Sequence, residues 1–159
     1  MSGGVDPAKN IFILYGLEQM TVEHKTAAGM ILISEGNPPE LLLLKHTDRW
    51  DLPKGHVDGD EDLLETAYRE TWEETGISTE RIRLDRSFHL QLEYIVKSPR
   101  WGEYLKTVTY FLGVVDSSEP IVLSEHVGFE WISLPVRISI QEQTIDPVLK
   151  RVQQHLALD

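Results

Sequence analysis

Apolar positions gather along the chain in six short stretches: Ile11–Leu17, Lys25–Ser34, Glu40–Lys45, Ile82–Val96, Glu103–Val115 and Gly128–Leu134. Each is closed by polar or turn-forming residues, such as Gly36-Asn37-Pro38-Pro39 and Ser98-Pro99. Apolar runs of this length between turn signals predict strands. Two other stretches, Glu61–Thr75 and Asp146–Leu156, repeat at helical spacing. In the second, Val148, Leu149, Val152 and Leu156 form one apolar stripe, and Pro147 stands early, where its missing N–H is harmless. That segment is expected to pack on a sheet and to carry no chemistry. Strands, a helix, long strands and a final helix together predict an α/β fold, a mixed sheet with helices on its faces. Residues 1–10 lack such a pattern, and no repeat or low-complexity linker divides the chain.

Composition narrows the class. The 159 residues suit one domain, and 41% are hydrophobic. A chain of about 150 residues buries roughly 68–70% of its unfolded surface, so folding needs no metal or disulfide staple. Cysteine is absent, which excludes disulfides, thiolate nucleophiles and Cys-based zinc sites. The N-terminus lacks the basic start and small-residue cleavage site of a secretory signal, and no apolar run approaches membrane-span length. The expectation is a cytoplasmic protein with no membrane partner, either a monomer or a homodimer.

The formal charge is −11, from 26 acidic and 15 basic residues. Such a chain has no broad basic face with which to bind DNA or other nucleic acid, because that mode needs clustered cations to displace counterions from phosphates. A phosphorylated small substrate is not excluded. The charge is unevenly placed: Lys54 to Gly76 holds eight acidic residues against Lys54 and Arg69, a local net of −6.

Within that segment Glu70, Glu73 and Glu74 stand at i, i+3 and i+4, one turn apart on one helix face. Leu64, Ala67, Tyr68, Thr71 and Trp72 form a mostly apolar opposite face, expected to anchor the helix. Three close carboxylates repel one another unless cations neutralise them, and oxygen-rich clusters suit hard divalent ions, Mg²⁺ or Mn²⁺. The alternative is an acidic face that simply points into water.

The surroundings bear on that choice. Gly55, Glu61, Arg69, Glu70, Thr71, Glu73, Glu74, Gly76 and Ile77 fall in the register G-x5-E-x7-R-E-U-x-E-E-x-G-U. The segment thereby resembles the box of the Nudix hydrolase family, with Thr71 the one departure, a polar residue where U is bulky and aliphatic. The resemblance implies an α/β/α sandwich with a mixed sheet spanning residues 21–159, residues 1–20 being an N-terminal extension without a counterpart. It implies that Glu70, Glu73 and Glu74 bind metal, joined by the Lys54 backbone carbonyl. Arg69 and Glu61 would form an internal ion pair, the alternative being a contact between Arg69 and Glu65. Gly55 and Gly76 would be structural.

Flanking residues point to a branch of the family. Arg49 to Asp62, RWDLPKGHVDGDED, resembles the W-x-x-P-K-G-H-V-D-x-G-E stretch of the diadenosine tetraphosphate hydrolases, through Trp50, Pro53, Lys54, Gly55, His56, Val57 and Asp58, with Asp60-Glu61 after Gly59 where that stretch has Gly-Glu. A lysine at position 54 can reach a phosphate that the metals leave uncovered; the alternative is a solvated side chain beside Asp58. LSEHVGFEW, Leu123 to Trp131, resembles a segment of the same branch. On that match Glu125 is an added metal ligand or general base, and His126 orients water or phosphate. Both are otherwise exposed loop residues. Tyr94, Lys106 and Tyr110 match the branch's substrate strands, where an aromatic face stacks on adenine and a lysine meets a phosphate. Trp50 and His56 join the same candidate substrate set. Lys97 to Tyr104, KSPRWGEY, is a longer insertion, with Trp101 a candidate lid or dimer contact.

The reading these features support is a metal-dependent hydrolase of dinucleoside polyphosphates, splitting diadenosine tetraphosphate into ATP and AMP. Glu73, Glu74, Glu125 and Arg69 form its catalytic set. Two rivals stand beside it. One is another pyrophosphohydrolase of the family, acting on 5′-triphosphate RNA ends, diphosphoinositol polyphosphates or nucleoside triphosphates. The other is a non-catalytic ligand sensor, which has no need of a complete carboxylate set.

Overall fold

The computed structural model describes residues 10–15, 18–116 and 119–158, with residues 10–22 given as backbone. Its strands are β1 Asn10–Tyr15, β2 Glu18–Ser34, β3 Glu40–Lys45, β4 Trp50–Asp51, β5 Lys54–His56, β6 Arg83–Ser98, β7 Gly102–Val115 and β8 Gly128–Ser133. The helices are α1 Leu63–Thr75 and α2 Asp146–His155, with a 3-10 turn at Thr79–Arg81.

All six predicted strands are present. The first is Asn10–Tyr15, and the Gly16 and Leu17 of that expectation lie outside the described residues, as do residues 1–9. The second begins at Glu18, well before Lys25, because its first residues hairpin against β1. The short strands β4 and β5 are additional: two or three residues are too few to show a period.

Strand β2 organises the sheet. Along one side it pairs in parallel with β7 from Glu23 to Ser34. Along the other it meets β1, then β5 at Ala27–Gly29, then β3 at Ile33 and Ser34, all antiparallel. Beyond these, β6 pairs with β7, and β4 and β8 pair with β3. One parallel contact among antiparallel ones makes the sheet mixed, as expected.

Alternation along the strands feeds two cores, one on each face. Ala27, Ile31, Ile33, Leu41, Leu43, Val108 and Leu112 pack with Ile145, Val148, Leu149 and Val152 of the α2 region. Ala28, Met30, Leu32, Leu42 and Leu44 pack with Ala67 of α1 and with Ile77. The sheet is therefore covered by a helix on both sides, the expected sandwich. Among the described residues no helix is long and apolar enough to cross a membrane.

Candidate active site

Helix α1 starts two residues later than the pattern suggested, because Asp62 caps it. The Asp62 carboxylate accepts from the Glu65 N–H at 2.8 Å, and the Glu65 carboxylate accepts from the Asp62 N–H at 3.0 Å. Glu61 is thereby left in the preceding loop. Gly76 ends the helix at φ 75°, a left-handed conformation that disfavours side chains, and its N–H donates to the Trp72 carbonyl.

The buried stripe of α1 is Thr66, Ala67, Thr71 and Thr75, and Trp72 is 58% exposed. The expectation that Trp72 helps anchor the helix is therefore wrong. At 100° per residue it falls away from Ala67 and Thr71, whereas Glu70 and Glu74 fall between Thr66 and Ala67, on the packed face. The polar Thr71 fits because its hydroxyl donates to the Ala67 carbonyl at 2.7 Å, as the Thr75 hydroxyl does to Thr71 at 2.6 Å. Small residues bring α1 close to β5, and the carboxylates line the seam. At Gly55 a Cβ would overlap the Glu70 carboxylate, so this position must be glycine for Glu70 to sit there.

Arg69 holds the loop to the helix. Its Nε and Nη2 donate to the two oxygens of Glu61 at 2.7 and 3.0 Å, and Nη2 donates to the His56 carbonyl at 3.1 Å. Nη1 donates to Glu70 at 2.8 Å and to Glu73 at 3.2 Å. Glu61 also accepts from the Asp58 N–H and the Thr66 hydroxyl. These bonds hold the Glu61 carboxyl at a pKa of about 2, the Arg69 guanidinium being the largest cause. The expected Arg69–Glu61 pair is present in this geometry.

Glu74 differs from its neighbours. Burial pushes its carboxyl well above the usual carboxylate range, and the charges of Asp51 and Glu70 add to the shift. Lys54 opposes the shift through its charge and its backbone N–H. The Glu74 Oε2 atom is buried without a hydrogen-bond partner. A buried carboxylate oxygen aimed at no donor, beside Glu70 and Glu73, fits a divalent cation by geometry and by charge.

Glu125 reaches the same place from a distant part of the chain. It lines a cavity of about 750 Å³ with Glu70, Glu73 and Glu74, walled by Trp72 and Val122. Its loop is tied to the end of α1, where the Val122 N–H donates to the Thr75 carbonyl at 2.8 Å. All four candidate carboxylates are thus brought together.

His126 is not an exposed loop residue. It is 8% exposed, and its Nε2 lies 3.1 Å from Asp51 Oδ2, with His46 Nε2 at 3.2 Å from the same oxygen. The solvated placement of Lys54 beside Asp58 is likewise wrong: its ammonium is buried against Asp51 Oδ1, which also accepts from the Leu52 N–H. Asp51, absent from the sequence-based candidates, is the hub. Its partners depress its pKa strongly despite burial, His126 contributing most and Lys54 next.

The remaining substrate candidates line a groove of about 500 Å³ beside this hub, where Trp50, Lys54, Tyr94, Lys106 and Tyr110 converge with Arg49. Gln141 fixes the Trp50 backbone by accepting its N–H and donating to its carbonyl, both at 3.0 Å. Tyr110 is 3% exposed, so it forms the floor of the groove. Burial pushes Tyr94 up to about 12. Burial, followed by Lys54, pulls Lys106 down to about 8. His56 is exposed nearby, its pKa lowered first by desolvation and then by Lys106, Lys25 and Lys54. Trp101 caps the Lys25 ammonium at the hairpin tip.

Known proteins resemble this chain in sequence and in fold. The NUDIX domain family matches residues 23–150. The mouse bis(5′-nucleosyl)-tetraphosphatase [asymmetrical] is 42% identical over 100 residues, 60% of this chain and 65% of that protein. The chain thus spans just under two thirds of that relative's length. The Caenorhabditis elegans protein of the same name is 33% identical over 121 residues, 73% of this chain and 84% of the relative. A crystal structure of a C. elegans Ap4A hydrolase binary complex superposes with a TM-score of 0.73 at 31% identity, covering 84% of this chain and 98% of that one.

Proposed function

The chain belongs to the Nudix family, and from that premise we propose that it hydrolyses dinucleoside polyphosphates, converting diadenosine tetraphosphate to ATP and AMP. The observation that carries the reading is the convergence of Glu70, Glu73, Glu74 and Glu125 on one cavity, with the cation- and tyrosine-lined groove beside it. The names of the mouse and C. elegans relatives support the choice of substrate.

In this proposal Glu70, Glu73, Glu74, Glu125 and the Lys54 carbonyl hold Mg²⁺, or Mn²⁺ in its place. When bound, the metal neutralises phosphate charge and makes water more acidic. Water attacks the phosphate four along from one adenosine. The bond between that phosphorus and its bridging oxygen breaks, ATP leaves, and AMP keeps the oxygen of the water. A carboxylate of the cluster, Glu74 or Glu125, accepts the proton of the attacking water. Arg69 keeps Glu70 and Glu73 oriented, and its hold on Glu61 fixes the loop.

Along the groove Lys54, Lys106 and Arg49 meet phosphates, while Tyr94 and Trp50 offer ring faces to adenine. Ring stacking contributes about 1–3 kcal/mol per base in single-strand binders. His126 acts at one remove, holding Asp51 and through it the Lys54 ammonium.

The test is a panel of diadenosine tetraphosphate, ATP, a 5′-triphosphate RNA and a diphosphoinositol polyphosphate, each with Mg²⁺. The first is expected to give the highest kcat/KM and equal amounts of ATP and AMP. Preferred turnover of another member overturns the substrate assignment.

A further inference from the structure

The β6–β7 hairpin tip has no role in the scheme above, although it is built to hold a cation. The Lys25 ammonium lies 3.1 Å from the centroid of the Trp101 ring and 4.8 Å from that of Tyr104. Trp101 is itself 52% exposed, so its position is not explained by core packing. Lys25 stands in register with Lys106 across the parallel β2–β7 pair, and Lys106 with Tyr94 across the β6–β7 pair. Residues paired in this way share a face of the sheet. His56 pairs with Ala27, two residues along β2 from Lys25, and so joins that face.

A row of basic side chains therefore leads outward from the hub: Lys54 opposite Gly29, His56 opposite Ala27, and then Lys106 and Lys25 level with one another. Among the described residues no carboxylate forms an ion pair with Lys25, His56 or Lys106. Glu23, one step further out on the same face of β2, ends the row. Two ammonium groups facing one another, Lys25 and Lys106, in an otherwise acidic protein have an anionic ligand as their natural counterpart.

We propose that Lys25, clamped by Trp101 and Tyr104, is the outer anchor of a phosphate track that runs from Lys54 past Lys106 and His56, and that this track selects substrates by polyphosphate length. The inference rests on the dinucleoside polyphosphate reading and names a determinant within it. A short chain is held by the carboxylate site and Lys54. A longer one reaches Lys25.

Diadenosine tri-, tetra- and pentaphosphate, assayed with wild type, Lys25→Gln, Lys25→Arg and Trp101→Ala, test it. Lys25→Gln is expected to raise KM for the tetra- and pentaphosphates about 5- to 10-fold, the loss of one charge-assisted contact, with the triphosphate shifting less than about twofold. The change falls on KM and leaves kcat and the Mg²⁺ half-saturation near wild type. Lys25→Arg retains wild-type KM, and Trp101→Ala shows a smaller increase in the same order. Equal KM for Lys25→Gln and wild type at all three lengths overturns the track. If wild type turns over none of the three, the substrate reading fails on its own. Calorimetric titration with inorganic tripolyphosphate then reads the track directly: binding weakened by Lys25→Gln supports it, and equal binding overturns it.

Discussion

Lys106 is the residue whose environment makes the sharpest prediction about activity. Burial, with Lys54 and Arg49 nearby, brings its pKa from 10.5 to about 8. The proton is therefore lost as pH rises through about 8, and with it the charge that the proposed function sets against a phosphate. The profile of kcat/KM is expected to hold below that pH and to fall above it, because this parameter reports the free enzyme. Lys106→Arg should remove the alkaline limb, since its guanidinium stays charged. A limb that persists in Lys106→Arg assigns it to another group. Glu74 makes a complementary prediction about stability. Its folded pKa is raised, so the metal-free fold holds a proton there that the unfolded chain releases at about pH 4.3. The associated stabilisation is complete below that pH and is lost as pH rises through the folded value. Thermal unfolding of the EDTA-treated protein should show Tm falling over this range and recovering with Mg²⁺, whereas Glu74→Gln should flatten the fall and abolish the recovery. At this scale the glutamates were legible because their spacing is local. Asp51 was not, because it lies between Trp50 and Leu52 with no local pattern, and its partner His126 is 75 residues away.

The seam between α1 and β5 shows how an element positions the site. The sequence pattern marks a helix over the box, yet it assigned the carboxylates to one face and the anchor to the other. The structure packs the helix through Ala67 and three threonines, so Glu70 and Glu74 fall on the packed face. Hydrophobic periodicity misses this arrangement because the buried threonines read as polar, although Thr71 and Thr75 satisfy their hydroxyls on the helix backbone and Thr66 satisfies its own on Glu61. Two substitutions separate the alternatives. Gly55→Ala puts a Cβ where the Glu70 carboxylate sits, so this flexible carboxylate is expected to swing aside with little loss in urea unfolding and with weakened Mg²⁺ binding. Trp72→Ala, at an exposed position, is expected to change stability by less than about 0.5 kcal/mol. A loss of about 2 kcal/mol or more from Trp72→Ala, or unchanged Mg²⁺ binding in Gly55→Ala, would restore the apolar anchor.

Over the whole molecule, the strand runs and two helical patterns were enough to place a mixed sheet between helices. The partners of each strand were not readable, since β2 meets four neighbours whose contacts depend on chain reversals far apart in sequence. The charge follows the same logic. The −6 segment between Lys54 and Gly76 contributes three glutamates to a carboxylate cavity, while Arg49, Lys54 and Lys106 line the adjoining groove. In the proposed function these are separate stations for metal and phosphate on an acidic protein. The claim that these stations work together in asymmetric cleavage is tested most directly by hydrolysing diadenosine tetraphosphate with Mg²⁺ in ¹⁸O-water and weighing the products. The account predicts ATP and AMP in equal amounts, with the label in AMP alone. Two molecules of ADP, or label in ATP, would contradict it.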